Sequence, residues 1–506
     1  MAWIFKIFPS IGVARIGNNR SSSPQDFYVG PEIPGTVIVP PNGYKDSSGQ
    51  VRRQAARFRI YGWENGVFMG EITSAVADIT WTVELANTKA AFNRFEGIGH
   101  FGPLRNASVT DRSSLMITPG PRTITGPNGA AFFDTGLFMG IPVPLGEIRT
   151  DANGRLLVLG GFGASSSPTN APLVTFANND GWHDDVSDGP VTATVALKGA
   201  KTPVQASGAW VICPPPRFAP PIFHIISLYD ALLQTAVDRL GYKVPATPSF
   251  TNDVYPILQR AIRYQWVTTK IGNKHKPLLA VIPPPATADQ RNFVFQALRD
   301  PAITPTVDTP HLMPAIWTDF FADVFGIRGH GSPNTGHWAN HPLTPTQYNV
   351  MKNWAAGNFI NDWVGPPSPG TNITPDGLTR AALENCSGGP FFPGIETSFF
   401  TRDVYPYIEP FRLDQTQQPD GTQLKAGDLS KQQAIPWQTD FFDCVFQSPL
   451  SWWPAAHPDD VFTATSNNYV TWDRGLSNFS DMVNFWSGLG FLVQSGDSVV
   501  ETERTL

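Results

Sequence analysis

The chain has 506 residues, 41% of them hydrophobic and only 15% charged, with a formal net charge of −6. That length exceeds a single ordinary core and that apolar content excludes disorder, while the mild acidity and the lack of any basic run exclude a nucleic-acid partner. Three widely separated cysteines exclude a disulfide framework and a CxxC zinc pattern, and no run approaches the roughly 18 to 20 apolar residues of a membrane span, so a soluble protein made in a reducing compartment is expected.

Forty-eight prolines and 45 glycines predict many short elements joined by ordered loops. The opening stretch, MAWIFKIFPSIGVARIGNN, carries Lys6 inside a short apolar run and has no apolar core followed by a cleavage site. It predicts a β-strand and no classical signal peptide. FRIYGWE, ITWTVELA, RLLVLGGFG and VTATVALKG are rich in β-branched and aromatic residues, with turn signals PNG, DANG and SDGP between them. CPPPRFAPP (213–221) ends that pattern, and IISLYDALLQTAVDRLGY and TPTQYNVMKNWAAGNFIND follow with helical spacing. The tail from 430 to 494 is dense in Trp and Phe and closes on a predicted helix, SNFSDMVNFWSGLGF. The expected class is α+β and β-rich: a β-sandwich-like region over residues 1–215, then a mixed, loop-rich region with several helices over 216–506.

GIGHFG (97–102) has the GxGxxG spacing of dinucleotide sites, but Pro103 follows the last glycine and no helix is predicted after it, so the reading is a turn with no bound NAD or flavin. His330, His337 and His341 have loose loop spacing and no carboxylate among them, and no metal is expected there. NNDGWHDDVSDGPV places Asp184, Asp185 and Asp188 in a turn-forming stretch that lacks the late Glu of a calcium loop. Asx-turn capping accounts for the acids, with Trp182 and His183 available to line a polar pocket. Cys386, in LENCSGGPFFPGIE, reads as a small buried residue in a tight turn without a local His to activate it. Cys444, in PWQTDFFDCVF, is different: Asp440 stands four residues before it and Asp443 beside it. Neighbouring negative charge raises a thiol's pKa, which makes Cys444 a poor nucleophile and leaves a carboxylate as the working base.

Taken in order, IFPSIGVARIGNN, WHDDVSDGPV, PPPRFAPP, LENCSGGPFFPGIE, PWQTDFFDC, WWPAAHPDDV and MVNFWSGLGF span nearly the whole chain. This set resembles the LodA-like family of cysteine tryptophylquinone amino-acid oxidases, the lysine ε-oxidase and glycine oxidase type. The resemblance implies a cofactor built from the chain's own side chains, a cysteine sulfur bonded to an indole that is oxidised to an ortho-quinone. It makes Cys444 the sulfur donor and Asp440 the carboxylate for building the cofactor and for proton abstraction, with Phe441, Phe442 and Trp437 around it to raise its pKa. It matches Trp486 to the quinone, with Trp472 second and Trp452 and Trp453 belonging to the WWPA block. It puts Cys386, and Trp182 or His183, near the substrate pocket. The implied reaction condenses a primary amine with the quinone as a Schiff base, removes a proton, and returns electrons to O2, releasing ammonia and hydrogen peroxide. A partner flavoprotein for maturation, no resident metal, no membrane, a possible homo-oligomer, and cytoplasmic synthesis with non-classical export complete the implied picture. Two other readings compete: a binding or structural protein of the same fold with unmodified Cys and Trp, and a metal-dependent oxidase using the three histidines.

Overall fold

The computed structural model describes residues 2–506 except 22, 24–25, 96–100, 270, 273, 283–285, 303–311, 314–342, 389–395, 398–400, 402–405, 444–455 and 464–467. Two sheets dominate the N-terminal part. The first runs Trp3–Phe8, Arg53–Glu64, Leu156–Leu159, Glu147–Thr150 and Ala130–Phe132, with Phe27–Val29 and Val67–Ile72 also paired to the long second strand. The second runs Ile11–Val13, Ala209–Cys213, Ser187–Leu197, Ala77–Val83 and Arg122–Thr125. The chain passes from one sheet to the other at Pro9–Ser10, so the first two strands tie the sheets together.

Alternation explains why the sheets stack. Along Ala77–Val83 the residues Ala77, Ile79, Trp81 and Val83 are buried, and their cross-strand neighbours Val191, Ala193 and Val195 are buried with them. Phe5, Ile7, Phe58, Ile60, Ile148 and Val158 of the first sheet belong to the same core cluster, so the inner faces of the two sheets share one interior. A fully buried Val, Leu, Ile or Phe is worth about 1.5–3 kcal/mol, and these four types make up most of this interior, with alanines among the rest. The β-rich, sandwich-like start and the helix-bearing remainder agree with the class expected from sequence.

The second part is assembled from short helices: α1 (Leu228–Leu240), α2 (Tyr255–Arg263), α3 (Ala288–Gln296), α4 (Pro345–Ala355), α5 (Pro375–Glu384), α6 (Trp437–Asp443) and α7 (Phe479–Phe485). Their starts are written locally. Ser227 and Asp230 form a reciprocal capping box on α1, Thr344 and Gln347 another on α4, and Asn478 caps α7. Gly241, at φ +64°, ends α1 in the left-handed conformation that glycine adopts without penalty. The predicted C-terminal helix is shorter than its sequence run: it ends at Phe485, a single 3-10 turn follows over Trp486–Gly488, and Phe491 already belongs to a hairpin with Ser498–Thr502. Gly488 and Gly490 stop the helix there. Among the described residues no helix is long and apolar enough to cross a membrane.

Candidate active site

Helix α6 lies at the junction of the two parts, and residues from the β-rich part hold it in place. The Asp184 carboxylate accepts the backbone N–H of Trp437, the first residue of the helix, at 3.0 Å. Fully buried Lys89 pairs with the same Asp184 oxygen at 2.5 Å and donates to the Ala434 carbonyl at 2.7 Å. Asn179 donates to the Ile435 carbonyl at 2.9 Å, and the Thr439 hydroxyl donates to the Phe176 carbonyl at 2.8 Å. On the next side the Gln438 amide donates to the Gly163 carbonyl at 3.1 Å and accepts from the Ser165 hydroxyl at 2.8 Å. An anion at a helix start is favoured by the exposed N–H groups and the helix dipole, and here a buried lysine balances it.

The three aspartates of WHDDVSDG are thus long-range struts as well as local turn formers. Asp184 also accepts the Val186 N–H at 3.2 Å, the Asx contact expected from sequence. Asp185 accepts the backbone N–H groups of Phe162 at 2.5 Å and Ala164 at 3.1 Å. Asp188 does not sit in a turn. It lies in the Ser187–Leu197 strand opposite Ile212, because the ladder with Ala209–Cys213 begins at Ser187. Its carboxylate accepts from the Trp210 indole at 2.9 Å and from the Ser430 hydroxyl at 2.5 Å. Burial pushes the Asp185 carboxyl up to about 7, with the Asp184 charge adding to it and two N–H bonds opposing. Burial likewise lifts Asp188 to about 6 against the pull of Ser430 and Trp210.

An aromatic chamber closes over α6. Trp437 meets Trp486 edge-on, with ring centroids 5.3 Å apart and planes at 70°, and meets Phe441 at 4.8 Å. Phe442 packs on Phe479 at 5.5 Å, so α6 and α7 lie antiparallel with Trp486 beside the first turn of α6. Phe218 lies 6.3 Å from Phe441 and 4.9 Å from Trp472, and His457 lies 4.8 Å from Phe441. Asp440, on the same helix, is 3% exposed.

Several buried polar atoms of this neighbourhood have no partner among the described residues: the indole nitrogen of Trp437, both ring nitrogens of His457, and Oδ1 of Asp185. Buried polar atoms are nearly always bonded, and exceptions gather where a site does chemistry or holds something. Burial alone pushes the His457 imidazole down to about 3, so it is neutral at ordinary pH.

The structure brings Asp440 and Trp486 onto one pair of helices. Trp472 is also buried in this region, its indole N–H donating to the Gly490 carbonyl at 3.0 Å, but its described ring neighbours are Phe218 and His457. Cys444, Trp452, Trp453, His330, His337 and His341 lie outside the described residues, as does most of GIGHFG. Cys386 belongs to another cluster. Its sulfur lies 3.7 Å from Arg15, which pairs with Glu396 at 2.7 Å, and its apolar neighbours are those of Ile11, Trp210 and Leu228. Burial and the Glu396 charge push its thiol well above the usual range, against Arg15 and Arg217. Trp182 donates its indole N–H to the Ala171 carbonyl at 2.8 Å. His183 is buried, bonded to the Ser166 hydroxyl at 2.8 Å and tilted against Phe138 at 5.2 Å. No described contact joins Cys386, Trp182 or His183 to Trp486 or Asp440. Sequence reasoning missed Lys89, Gly163 and His457. His457 stood in the quoted WWPAAHPDDV block, but nothing in its neighbours announced its burial. Among the described residues, no three His, Cys, Asp or Glu side chains are grouped to hold a metal ion.

A two-sheet β region clamping a short acidic, aromatic helix defines a β-rich α+β protein. The family described as "L-Lysine epsilon oxidase N-terminal" matches residues 8–213, and "L-lysine epsilon oxidase C-terminal domain" matches residues 332–470. The chain belongs to this LodA-like family. It is 26% identical to the L-lysine 6-oxidase of Marinomonas mediterranea, across 98% of this chain and 89% of the relative. The fold matches two crystal structures of the L-Lys ε-oxidase from that organism. One holds its Schiff base intermediate with L-Lys (TM-score 0.79), and the other has a TM-score of 0.77. Both are 24% identical, over 99% of this chain and 95% of theirs.

Proposed function

We propose that the protein is an amino-acid or primary-amine oxidase whose cofactor is a quinone formed from Cys444 and Trp486, with Trp472 the second choice. The observation that carries the reading is the packing of Trp486 on α6, the helix that holds Asp440 and ends one residue before Cys444. Unpartnered donors fit such a group, because a quinone brings acceptor oxygens that the encoded indole lacks, and the Trp437 N–H beside Trp486 has no other acceptor.

When formed, the quinone supplies an electrophilic carbonyl for a primary amine and a sink for two electrons. The chain's own residues do the rest. Asp440, which is buried, removes the proton carried by the amine-bearing carbon itself. Phe441, Trp437 and Phe218 exclude water, which strengthens every charge interaction inside. Lys89 and Asp184 fix where the first turn of α6 points. O2 is the electron acceptor, hydrogen peroxide and ammonia are released, and a flavoprotein partner supports maturation.

Peptide mass mapping of protein matured in its native host tests this. A Cys444–Trp486 linked peptide is expected, heavier by two oxygens and lighter by four hydrogens than the unmodified pair, together with a visible absorption band. A link to Trp472 moves the site. A colourless protein with both peptides unmodified leaves the binding-protein reading in its place. Per quinone formed, as the visible band counts it, Asp440→Asn is expected to slow amine-dependent peroxide formation by about 10²-fold, the ordinary worth of a general base. Full turnover in that variant would remove Asp440 from its role.

A further inference from the structure

The stretch RLLVLGGFG was legible only as a strand, yet past Leu159 it leaves the sheet and touches both Trp486 and α6. A Cβ on Gly163 would stand 2.2 Å from Cζ2 and 3.0 Å from Cη2 of the Trp486 indole, where no side chain fits, and Gly163 has φ +71°. The loop backbone therefore lies directly against Cζ2 of the six-membered ring, with Cε2 at 2.9 Å and Cη2 at 3.0 Å from the same Cβ on either side, and Cζ2 and Cη2 form an adjacent pair of the kind an ortho-quinone requires.

Two side chains hold the loop, one from each part of the protein. Asp185 takes the N–H groups on either side of Gly163, from Phe162 and Ala164, while Gln438 of α6 takes the Gly163 carbonyl and meets the Ser165 hydroxyl. A Cβ on Gly161 would in turn fall 2.5 Å from the Asp185 carboxylate, so Gly161 makes room for Asp185 as Gly163 makes room for Trp486. Asp185 is fully buried, and its second oxygen has no partner. Burying a carboxyl costs several kcal/mol unless it is well bonded, which an ordinary loop does not require.

We propose that the Gly161–Ser165 loop is the seat that fixes the plane of the Trp486 ring for oxidation, and that Asp185 is the positioning residue that holds this seat. The proposal rests on the reading of Trp486 as the modified tryptophan. Asp185 acts through backbone N–H groups, for which a carboxamide oxygen is an equal acceptor. Asp185→Asn therefore keeps the seat and Asp185→Ala loses it. Gly163→Ala overruns the ring itself, and Gln438→Ala frees the loop from the helix side.

The experiment is peptide mapping and the visible spectrum of the four variants and the wild type, matured identically, with thermal unfolding to confirm the fold. The wild type and Asp185→Asn are expected to carry the Cys444–Trp486 link. In folded Asp185→Ala and Gly163→Ala the linked fraction is expected to fall at least tenfold, with Gln438→Ala between. A wild-type link to Trp486 that persists at full yield in folded Asp185→Ala and Gln438→Ala overturns the proposal alone. A wild-type link to Trp472 overturns the underlying reading and the proposal with it.

Discussion

Replacing Lys89 by Met is expected to destabilise the protein by about 3–5 kcal/mol, the usual cost of stranding one member of a buried ion pair. Both partners are fully buried, and Lys89 also donates to the Ala434 carbonyl. Methionine fills similar space but leaves Asp184 charged in an apolar interior. Burial already pushes the Lys89 ammonium down, and the Asp184 charge is what opposes this. A double variant isolates the cause. Adding Asp184→Asn removes the stranded charge and keeps one acceptor oxygen, enough for either the Asn87 amide or the Trp437 N–H but not both, so part of the loss is expected to return. Urea unfolding of the wild type, both single variants and the double variant gives the coupling directly. A Lys89→Met variant within about 1 kcal/mol of the wild type would show that the pair is not the strut described above.

The same pair shows why parts of this molecule were legible in the sequence and parts were not. The capping box at Ser227 and Asp230 lies within four consecutive residues, and the alternation along Ala77–Val83 within seven, so both can be read from a local window. Lys89 and Asp184 are separated by 95 residues, and Gln438 and Gly163 by 275, and no local pattern encodes such partners. Asp184, Asp185 and Asp188 were read as turn formers because adjacent acids and glycines favour turns. Asp184 does make the local contact, to the Val186 N–H, but tertiary demand also uses each of the three to hold a distant backbone segment. Cys386 was legible as a small buried residue, and it is fully buried. Arg15, which bonds its sulfur, lies 371 residues away, so that contact was not, although Glu396 stands in the same quoted block. Asp440 and Trp486 were each reached through a family-like block, but the edge-on packing of Trp486 on Trp437, which gives the pair a shared chamber, appears only when α6 and α7 come together.

His457 should make the protein acid-sensitive well before its carboxylates are titrated. Buried against Phe441 and Trp472 with neither nitrogen bonded, its imidazole is held down to about 3, and burial alone sets that shift. In the unfolded chain a histidine binds its proton near pH 6.5. Between these values the unfolded state holds one more proton than the folded state, so stability is fully present above about 6.5 and falls as the pH drops, by about 1.4 kcal/mol per unit. Across the whole interval the loss from this one residue is about 5 kcal/mol, and at pH 5 it is about 2 kcal/mol. Asp185 and Asp188 act in the opposite sense. Their folded pKa values, about 7 and about 6, lie above the ordinary carboxylate range, so their contribution is lost as the pH rises. The wild-type curve sums all three, and a difference curve separates them. His457→Phe removes two unsatisfied buried nitrogens, each costing about 1–3 kcal/mol, and keeps a ring against Phe441 and Trp472. The variant is expected to be at least as stable as the wild type at pH 7 and to gain a further 2 kcal/mol or so on it at pH 5. Urea unfolding at pH 7, 6 and 5 measures the difference, and parallel curves for the two proteins would mean that His457 is protonated in the fold and has a partner there.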